Sequence, residues 1–373
     1  MPKTKIFLIA GEASGDLHGA NLINEWKKLA PNTAFVGWGG DKMASEGMIT
    51  LKHIRSLSFM GFIEVLLNIR TILRNIAICK EQLLIHQPDV VVLIDFPGFN
   101  LRIAKWLKQH NIPVIFYISP QIWAWKASRV HAIGRDVSKM YCILPFEKAF
   151  YLKYNVDVQY LGHPLLDEIS KFRAKESTAK LSANKPILAL LPGSRSQEVK
   201  RKLPLMLDAS KAFPDYLVVV ACSANLDESF YRKYADSSIQ LVFGETYEIL
   251  NQANLALVTS GTATLETALF GVPQVVCYKS SVISYQIAKA LVKIKFISLV
   301  NLIMDDEVVT ELIQNKCTAE NMRNELRLLA LGQPKREQML SAYQSLTKIL
   351  GSNGASSRVA NDIVVTFFSN RGN

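Results

Sequence analysis

Two stretches of the chain place glycine and small polar residues between an apolar run and a helical pattern. The first is Leu190-Leu-Pro-Gly-Ser-Arg-Ser-Gln-Glu-Val199, and the second is Leu255-Ala-Leu-Val-Thr-Ser-Gly-Thr-Ala-Thr-Leu-Glu266. A strand that turns directly into a helix leaves backbone N–H groups without partners at the positive end of the helix dipole. Such a helix end binds phosphate groups well. The two stretches therefore predict a shared site for a diphosphate.

The polar side chains in these turns fit this chemistry, although each also has a structural interpretation. Arg195 stands at a helix N-terminus, where its charge opposes the dipole, so we expect an anion to offset it. Ser194 with Gln197 could instead form a capping box. Glu266 lies in a first helical turn and either compensates the dipole or accepts hydrogen bonds from a ribose diol. The residues assigned to a nucleotide site are Ser194, Arg195, Ser260, Gly261, Thr262 and Glu266.

A carboxylate in the first half of the chain is the candidate general base. Asp95 follows five apolar residues and precedes Phe-Pro-Gly-Phe-Asn100. At the end of a buried parallel strand it either caps the following helix or acts as a base, and burial would raise its pKa toward a useful value. Glu12 follows the first apolar run, so we expect it near Asp95 at the same sheet edge.

A loop rich in aromatic and basic residues is the candidate acceptor site. Ser119-Pro-Gln-Ile-Trp-Ala-Trp-Lys-Ala-Ser-Arg129 carries two tryptophans and two cations beyond a strand end. This mixture suits a sugar phosphate, and it also suits packing between domains; the sequence leaves both alternatives open. The candidate contacts in this loop are Trp123, Trp125 and Arg129.

Residues 57–78 form an unusually apolar helical pattern accompanied by arginines. Because of its charges, this segment is not expected to span a membrane. It is either an ordinary amphipathic helix on a sheet or an interfacial helix on an anionic membrane surface. In the second case the membrane contacts are Phe62, Val65, Leu66, Ile69, Ile72 and Leu73.

The composition restricts the partners. The 43 Lys and Arg residues against 32 Asp and Glu give a net charge of +11, which favours an anionic partner. The basic residues are dispersed, so no nucleic-acid surface is predicted. The five cysteines form no Cys-x-x-Cys pair and indicate reduced thiols of a cytoplasmic protein. Neither a metal site nor a cofactor is predicted, and the early strand leaves no room for a signal peptide.

Apolar runs alternate with helical patterns along most of the chain. This alternation predicts two α/β domains of the Rossmann-like type with a cleft between them and a C-terminal helix. The polar segment 170–185 is the expected junction, with domains at 1–169 and 186–350 and a helical tail at 351–373. The predicted strands lie at residues 5–10, 34–39, 90–95, 114–119, 140–145, 158–162, 187–191, 217–221, 239–243, 255–258, 274–278 and 297–300.

A set of motifs in this order resembles the lipid-A-disaccharide synthases, inverting glycosyltransferases of the two-Rossmann-domain (GT-B) type. They extend to about residue 302. They are Gly11-Glu-Ala-Ser-Gly-Asp16, Met60-Gly61 with Glu64-Val-Leu66, Ile94-Asp95 with Pro97 and Phe99-Asn100, Ser119-Pro120 with Trp123-Ala-Trp125, Leu144-Pro-Phe-Glu147, Gly162-His163, Leu191-Pro-Gly-Ser-Arg195, Ser260-Gly-Thr-Ala263 with Leu265-Glu266, and Asn301. Gly98 and Val300 stand where many family members have Asp and Pro, which leaves Asp95 as the main candidate base and weakens the placement of Asn301.

The resemblance implies a reaction that joins UDP-2,3-diacylglucosamine to 2,3-diacylglucosamine 1-phosphate, forming a β-1,6 disaccharide and UDP on the cytoplasmic face of the inner membrane. It implies Asp95 as base with Glu12 assisting, adds Asn301 to the UDP-sugar site and adds Ser14 to the acceptor site. The alternatives are a UDP-N-acetylglucosamine 2-epimerase, a transferase acting on a peptidoglycan precursor, and a non-catalytic nucleotide-binding protein. The oligomeric state, including a homodimer, stays open.

Overall fold

The structure, a computed structural model, describes residues 4–57, 69–175, 181, 185–281, 285–286, 289–290, 292 and 294–368. The chain divides into two compact units. The first comprises Met1–Asp167 and Ser352–Asn373, and the second comprises Glu168–Gly351.

The first unit contains a parallel sheet of seven strands with the order β3-β2-β1-β4-β5-β6-β7. The strands are Lys5–Ala10 (β1), Ala34–Gly39 (β2), Ile49–His53 (β3), Val90–Ile94 (β4), Val114–Tyr117 (β5), Lys139–Cys142 (β6) and Gln159–Tyr160 (β7). The two central strands, β1 and β4, are almost entirely buried, as their continuous apolar sequences predict. β3 was not predicted, since its sequence Ile-Thr-Leu-Lys-His mixes apolar and polar residues at a half-exposed edge.

Helices cover both faces of this sheet. They are Ala13–Leu29 (α1), Asp41–Ser45 (α2), Ile69–His86 (α3), Pro97–Gln109 (α4), Ile122–Trp125 (α5), Val130–Asp136 (α6) and Pro145–Leu152 (α7), with 3-10 turns at Ile54–Ser56 and Ala127–Arg129. The next helix, Pro164–Arg173 (α8), begins in the first unit and ends in the second. Successive β1 side chains alternate between two cores, with Phe7 facing one and Leu8 the other. The first core includes Trp38 and Phe99, and the second includes Trp26.

The second unit contains a parallel sheet of six strands with the order β10-β9-β8-β11-β12-β13. The strands are Ile187–Leu191 (β8), Leu217–Cys222 (β9), Gln240–Phe243 (β10), Ala253–Thr259 (β11), Gln274–Tyr278 (β12) and Glu311–Ile313 (β13). Its helices are Ser196–Ser210 (α9), Glu228–Tyr231 (α10), Thr246–Gln252 (α11), Thr262–Leu269 (α12), Leu299–Met304 (α13), Ala319–Leu328 (α14) and Pro334–Leu350 (α15), with a 3-10 turn at Gln314–Lys316.

One strand of the second unit was predicted in the wrong place. Residues 297–300 were expected as a strand, but Ser298 is the N-cap of α13 and its side chain accepts a hydrogen bond from the backbone N–H of Asn301. The carboxylate of Glu311 accepts from the N–H groups of Ile297 and Ser298, at distances of 2.8–3.1 Å. Side chains thus satisfy backbone groups that a strand ladder would have used, and the sheet ends instead with β13.

The C-terminal helix, Ala355–Phe368 (α16), belongs to the first unit. Its Val359 and Ile363 are buried in the same core as Trp26 of α1. Asp167 fixes the start of α16, because its carboxylate accepts from the N–H groups of Gly354, Ala355 and Ser356 at 2.5–3.2 Å. The helix was predicted from the sequence, and the surface that it covers was not.

The strand orders place the turns that carry chemistry. In an open parallel sheet, ligands bind at the carboxyl ends of strands where the strand order reverses direction. In the first unit this point lies between β1 and β4, which are followed by Glu12 and Asp95. In the second unit it lies between β8 and β11, which are followed by Ser194 and Ser260.

Candidate functional site

A pocket of about 620 Å³ opens at the switch point of the second unit. It includes six of the seven residues that were predicted to bind the UDP-sugar. Its lining is Leu191, Gly193, Ser194, Arg195, Glu198, Ala221, Cys222, Ser223, Ala224, Gly244, Thr246, Thr259, Ser260, Gly261, Thr262, Ala263 and Glu266. Two distant stretches of sequence therefore meet in one cavity, as their shared pattern predicted.

Two helices begin at this pocket with open N-termini. The N-cap of α9 is Arg195 and the N-cap of α12 is Gly261, and neither provides a side-chain capping hydrogen bond. The alternative interpretation of Ser194 and Gln197 as a capping box is not observed, because Arg195 is the N-cap of α9. Because the first N–H groups of a helix point out of its end, both helices direct donors and positive dipole ends toward the pocket.

Glycine is required in both turns. Gly193 has φ +110 and Gly261 has φ +148, in a region where an L side chain is strained. A Cβ atom at Gly193 would also overlap the side chain of Glu198. At Gly261 the space beside the backbone is open, so a ligand can approach the chain closely there.

Arg195 adds a cation to the pocket wall. Its side chain is 59% exposed, and its Nη1 lies 3.7 Å from Oε1 of Glu198, one turn along α9. That separation is an ion pair but too long for a hydrogen bond. An exposed pair of this kind contributes little to stability.

Glu266 lines the same pocket and is held in place by a residue that the sequence did not single out. Tyr247 donates a hydrogen bond from its hydroxyl to Oε1 of Glu266 at 3.0 Å. Burial raises the pKa of Glu266, and the Tyr247 hydrogen bond acts in the opposite direction. The Tyr247 ring packs in turn against Phe172 and Phe270. No local pattern marks Tyr247, because its contact with Glu266 spans 19 residues.

Asn301 is not part of this pocket. It is fully buried, and its side chain donates to the carbonyl of Val309 at 2.8 Å and to Glu311 at 3.0 Å. Its Oδ1 accepts from the N–H of Val309 at 2.9 Å. The polar atoms of the side chain are thus used in joining α13 to the segment before β13, which corrects the predicted contact with the UDP-sugar.

Asp95 lies at the end of β4 in the first unit, with its backbone in the left-handed region at φ +46. Asn100, one turn into α4, donates to the Asp95 carbonyl at 2.7 Å and helps to hold this conformation. Burial, with the negative charge of Glu12 as the second cause, raises the pKa of Asp95 to about 6. The predicted proximity of the two carboxylates is therefore present, and a carboxylate with this pKa suits general base catalysis near neutral pH.

The aromatic loop divides into a buried and an exposed part. Trp123 donates from Nε1 to Oε1 of Glu147 at 3.1 Å, so it anchors the loop. Trp125 is 47% exposed, and the guanidinium carbon of Arg129 lies 4.9 Å from its ring centroid. Ser14, the remaining acceptor candidate, is exposed in the first turn of α1.

Glu147 is a second residue to which the sequence alone assigned no role. It is fully buried, and its Oε2 accepts from the N–H groups of Ile143 and Leu144 at 3.2 and 3.0 Å. Burial raises its pKa to about 7. Its position two residues after Pro145, in the first turn of α7, was the available sequence signal, since acidic residues often close helix N-termini.

The predicted membrane contacts are only partly within the described residues. Phe62, Val65 and Leu66 lie outside them, as does the side chain of Ile69. Ile72 is half-buried and packs against the core of the first unit, whereas Leu73 is 59% exposed. Among the helices of the described ranges, none has the length and apolar character needed to cross a membrane.

Comparison with known proteins gives consistent matches over almost the whole chain. The family described as lipid-A-disaccharide synthetase matches residues 6–362. Lipid-A-disaccharide synthase from Psychromonas ingrahamii is 40% identical over 380 residues, covering 98% of both chains. The enzyme of that name from Myxococcus xanthus is 38% identical over 370 residues, covering 96% of this chain and 97% of its own.

Among solved structures, a UDP-GlcNAc 2-epimerase from Neisseria meningitidis bound to UDP-GlcNAc superposes with a TM-score of 0.68. The match covers 97% of this chain and 100% of the epimerase at 12% identity, which confirms the predicted two-Rossmann-domain fold class and carries nothing about activity. From the family match and the full-length relatives, the chain belongs to the lipid-A-disaccharide synthetase family and is a glycosyltransferase of lipid A biosynthesis.

Proposed function

We propose that the chain transfers 2,3-diacylglucosamine from UDP to the 6-hydroxyl of 2,3-diacylglucosamine 1-phosphate, giving a β-1,6-linked disaccharide 1-phosphate and UDP. The observation that carries this proposal is the pocket at the switch point of the second unit, where two open helix N-termini meet Arg195 and Glu266. This combination suits a nucleoside diphosphate, with cationic and N–H donors for the phosphates and a carboxylate for the ribose.

In the donor site the diphosphate lies against the N-termini of α9 and α12. Arg195 leaves its loose pairing with Glu198 and binds a phosphate oxygen. Glu266 accepts from the ribose hydroxyls with its free lone pairs while Tyr247 fixes its orientation. As the sugar–phosphate bond breaks, negative charge grows on UDP, and these preorganised donors stabilise it.

Asp95 is the base. Its carboxylate takes the proton of the acceptor 6-hydroxyl, the freed oxygen attacks the donor anomeric carbon, and the bond from that carbon to UDP breaks on the opposite face. The configuration at this carbon is inverted, and the transition state is oxocarbenium-like, as in glycoside hydrolysis. Glu12 contributes by raising the pKa of Asp95 and so making the carboxylate a stronger base.

The decisive experiment incubates the purified protein with both acylated substrates and measures disaccharide and UDP. Asp95→Asn should lose turnover and keep its UDP affinity, whereas Asp157→Asn, an exposed aspartate of the same unit, should behave as the wild type. Full turnover in Asp95→Asn would remove it from the mechanism. Formation of an epimer from UDP-N-acetylglucosamine alone, or UDP binding without transfer, would overturn the proposed reaction in favour of an epimerase or a nucleotide-binding protein.

The acylated substrates favour work at a membrane, and α3 is the proposed contact with the cytoplasmic face of the inner membrane. Its exposed Leu73 is flanked by the exposed Arg70 and Arg74, a combination that suits an anionic lipid surface. Leu73→Asn should weaken sedimentation with vesicles that contain anionic phospholipid. Leu331→Asn, at a comparably exposed leucine of the second unit, is the control. Equal binding by both variants and the wild type would exclude this contact.

A further inference from the structure

Two arginines from different elements lie close together in the first unit. Arg102 is on α4, and its Nη1 donates to the carbonyl of Gly98, which folds the guanidinium back toward the first turn of the helix. Arg129 is in the 3-10 turn that precedes α6. Burial lowers the pKa of Arg129, and the two side chains are near enough for the charge of Arg102 to lower it further.

The carboxylates of the described residues leave this pair of arginines without an ion-pair partner. Within the described ranges, neither arginine forms an ion pair with an acidic side chain. Arg135, only six residues beyond Arg129, is different, because two of its nitrogens donate to the carboxylate of Asp136 at 2.7 Å each. Arg102 is exposed and Arg129 is half-buried, and two like charges brought near each other repel unless an anion joins them.

The surroundings favour an anion attached to a sugar. Trp125 presents an exposed ring beside Arg129, and the Nζ of Lys126 lies 6.0 Å from the same ring. The partly buried hydrogen bond from Trp123 to Glu147 anchors the loop that carries this ring. The first turn of α4, to which Arg102 folds back, directly follows Asp95. The candidate base and the Arg102 guanidinium are therefore both at the N-terminal end of α4.

We propose that Arg102 and Arg129 form a subsite for a phosphate monoester, which holds the anomeric phosphate of the acceptor while Trp125 contacts its carbon skeleton. This assignment rests on the proposed function, because it takes the acceptor hydroxyl to be the one that Asp95 deprotonates. Arginine suits the role, since its planar fork binds two phosphate oxygens at once. In this proposal the partner of Arg129 is the anomeric phosphate of the acceptor. Arg102 is a further residue that determines specificity for that phosphate.

The test compares two acceptors, with and without the anomeric phosphate, in the full-length protein. Arg102→Ala and Arg129→Ala should each raise the KM of the phosphorylated acceptor by about tenfold to a hundredfold, the range for a lost hydrogen bond to a charged group. They should leave the KM of the phosphate-free acceptor and of the donor unchanged. Arg102→Lys should recover only part of the loss. Lys108→Ala, an exposed cation on the same helix, is the control for a general change in charge.

Three results would overturn the subsite. One is an equal rise in KM for both acceptors, which would indicate a structural role. Another is a loss of binding to anionic vesicles with unchanged discrimination between the acceptors, which would assign the arginines to lipid headgroups. The third comes from calorimetry with glucosamine 1-phosphate and, as a control, glucosamine. Glucosamine 1-phosphate should bind to the wild type and not to Arg129→Ala. Equal binding of glucosamine 1-phosphate to the two proteins would count against the subsite. If the protein binds the sugar phosphate but forms no disaccharide, the proposed reaction is refuted and the phosphate subsite is retained. If it forms disaccharide equally well from both acceptors, the subsite is refuted and the proposed reaction is retained.

Discussion

The pH dependence of turnover tests the pairing of Asp95 with Glu12. Asp95 must be ionised to act as a base, so activity is present above its pKa and is lost as the pH falls through about 6. Glu12→Gln removes the negative charge that helps to raise this pKa, so the acid limb should move to lower pH. The variant should therefore remain active in a range where the wild type is already protonated.

The size of the movement depends on the causes of the shift. The pKa of Asp95 rises from 3.8 to about 6, with burial as the larger cause and Glu12 as the second. Glu12 is the smaller of the two causes that raise the pKa, and we expect its removal to lower the midpoint by about one pH unit. At pH 5 about 10% of Asp95 is ionised in the wild type, and about 50% would be ionised with a pKa near 5. Relative to its own plateau, the variant should keep about five times more activity.

The assay measures kcat/KM for the acceptor from pH 5 to pH 8 with saturating donor, since this quantity reports the pKa of the base before the acceptor binds. Glu81→Gln, an exposed glutamate on α3, carries the same change in net charge and should leave the midpoint in place. An unchanged midpoint in Glu12→Gln would refute the electrostatic coupling. A wild-type profile that is flat between pH 5 and pH 7 would refute Asp95 as the base.

Three further variants test the donor site and the loop anchor. Arg195→Ala should lower kcat by about 10²–10³, as expected for the loss of a transition-state donor. Its melting temperature should be unchanged, because the Arg195 side chain is 59% exposed. Arg201→Ala on the same helix is the control, and near-normal turnover in Arg195→Ala would exclude Arg195 from the mechanism. Tyr247→Phe should lower kcat/KM for the donor about tenfold by leaving Glu266 without its orienting donor, and an effect on the acceptor KM instead would contradict that role. Glu147 has its pKa raised from 4.5 to about 7, so its folded form resists ionisation and wild-type stability falls as the pH rises through this range. The difference in melting temperature between the wild type and Glu147→Gln should therefore be smaller at pH 7 than at pH 5. An equal difference at the two pH values would show that Glu147 does not titrate in this range.

Much of the fold was predictable because parallel strands buried on both faces leave continuous apolar runs. β1 and β2 begin and end at the predicted residues. The turn after each strand was equally readable, since glycine and small polar residues mark it. These local patterns are enough to bring Ser194 and Gly261 to one pocket once the strand order is formed.

The parts that escaped prediction depend on side chains that meet only after the sheet has formed. Tyr247 donates a hydrogen bond to Glu266, and Trp123 donates one to Glu147, which is 24 residues away. Neither sequence separation corresponds to a helix or strand period, so the sequence does not predict these hydrogen bonds. Asn301 shows the opposite error, because a motif position suggested a ligand contact while its amide is used up inside the protein. A polar residue in a motif can thus support the backbone of a site without touching its ligand.

Both units place their candidate site residues where the strand order of the sheet reverses. The chemistry differs because the residues that follow the strands differ. In the second unit the turns after β8 and β11 contain glycines with positive φ, which expose backbone N–H groups and so favour an anion. In the first unit carboxylates follow β1 and β4, and burial together with the negative charge of Glu12 makes Asp95 a stronger base than an isolated aspartate. An enzyme that must neutralise a departing diphosphate and deprotonate an alcohol needs both environments, because the first requires hydrogen-bond donors and positive charge and the second requires a basic carboxylate. Their assignment to separate sheets lets each environment keep its own charge.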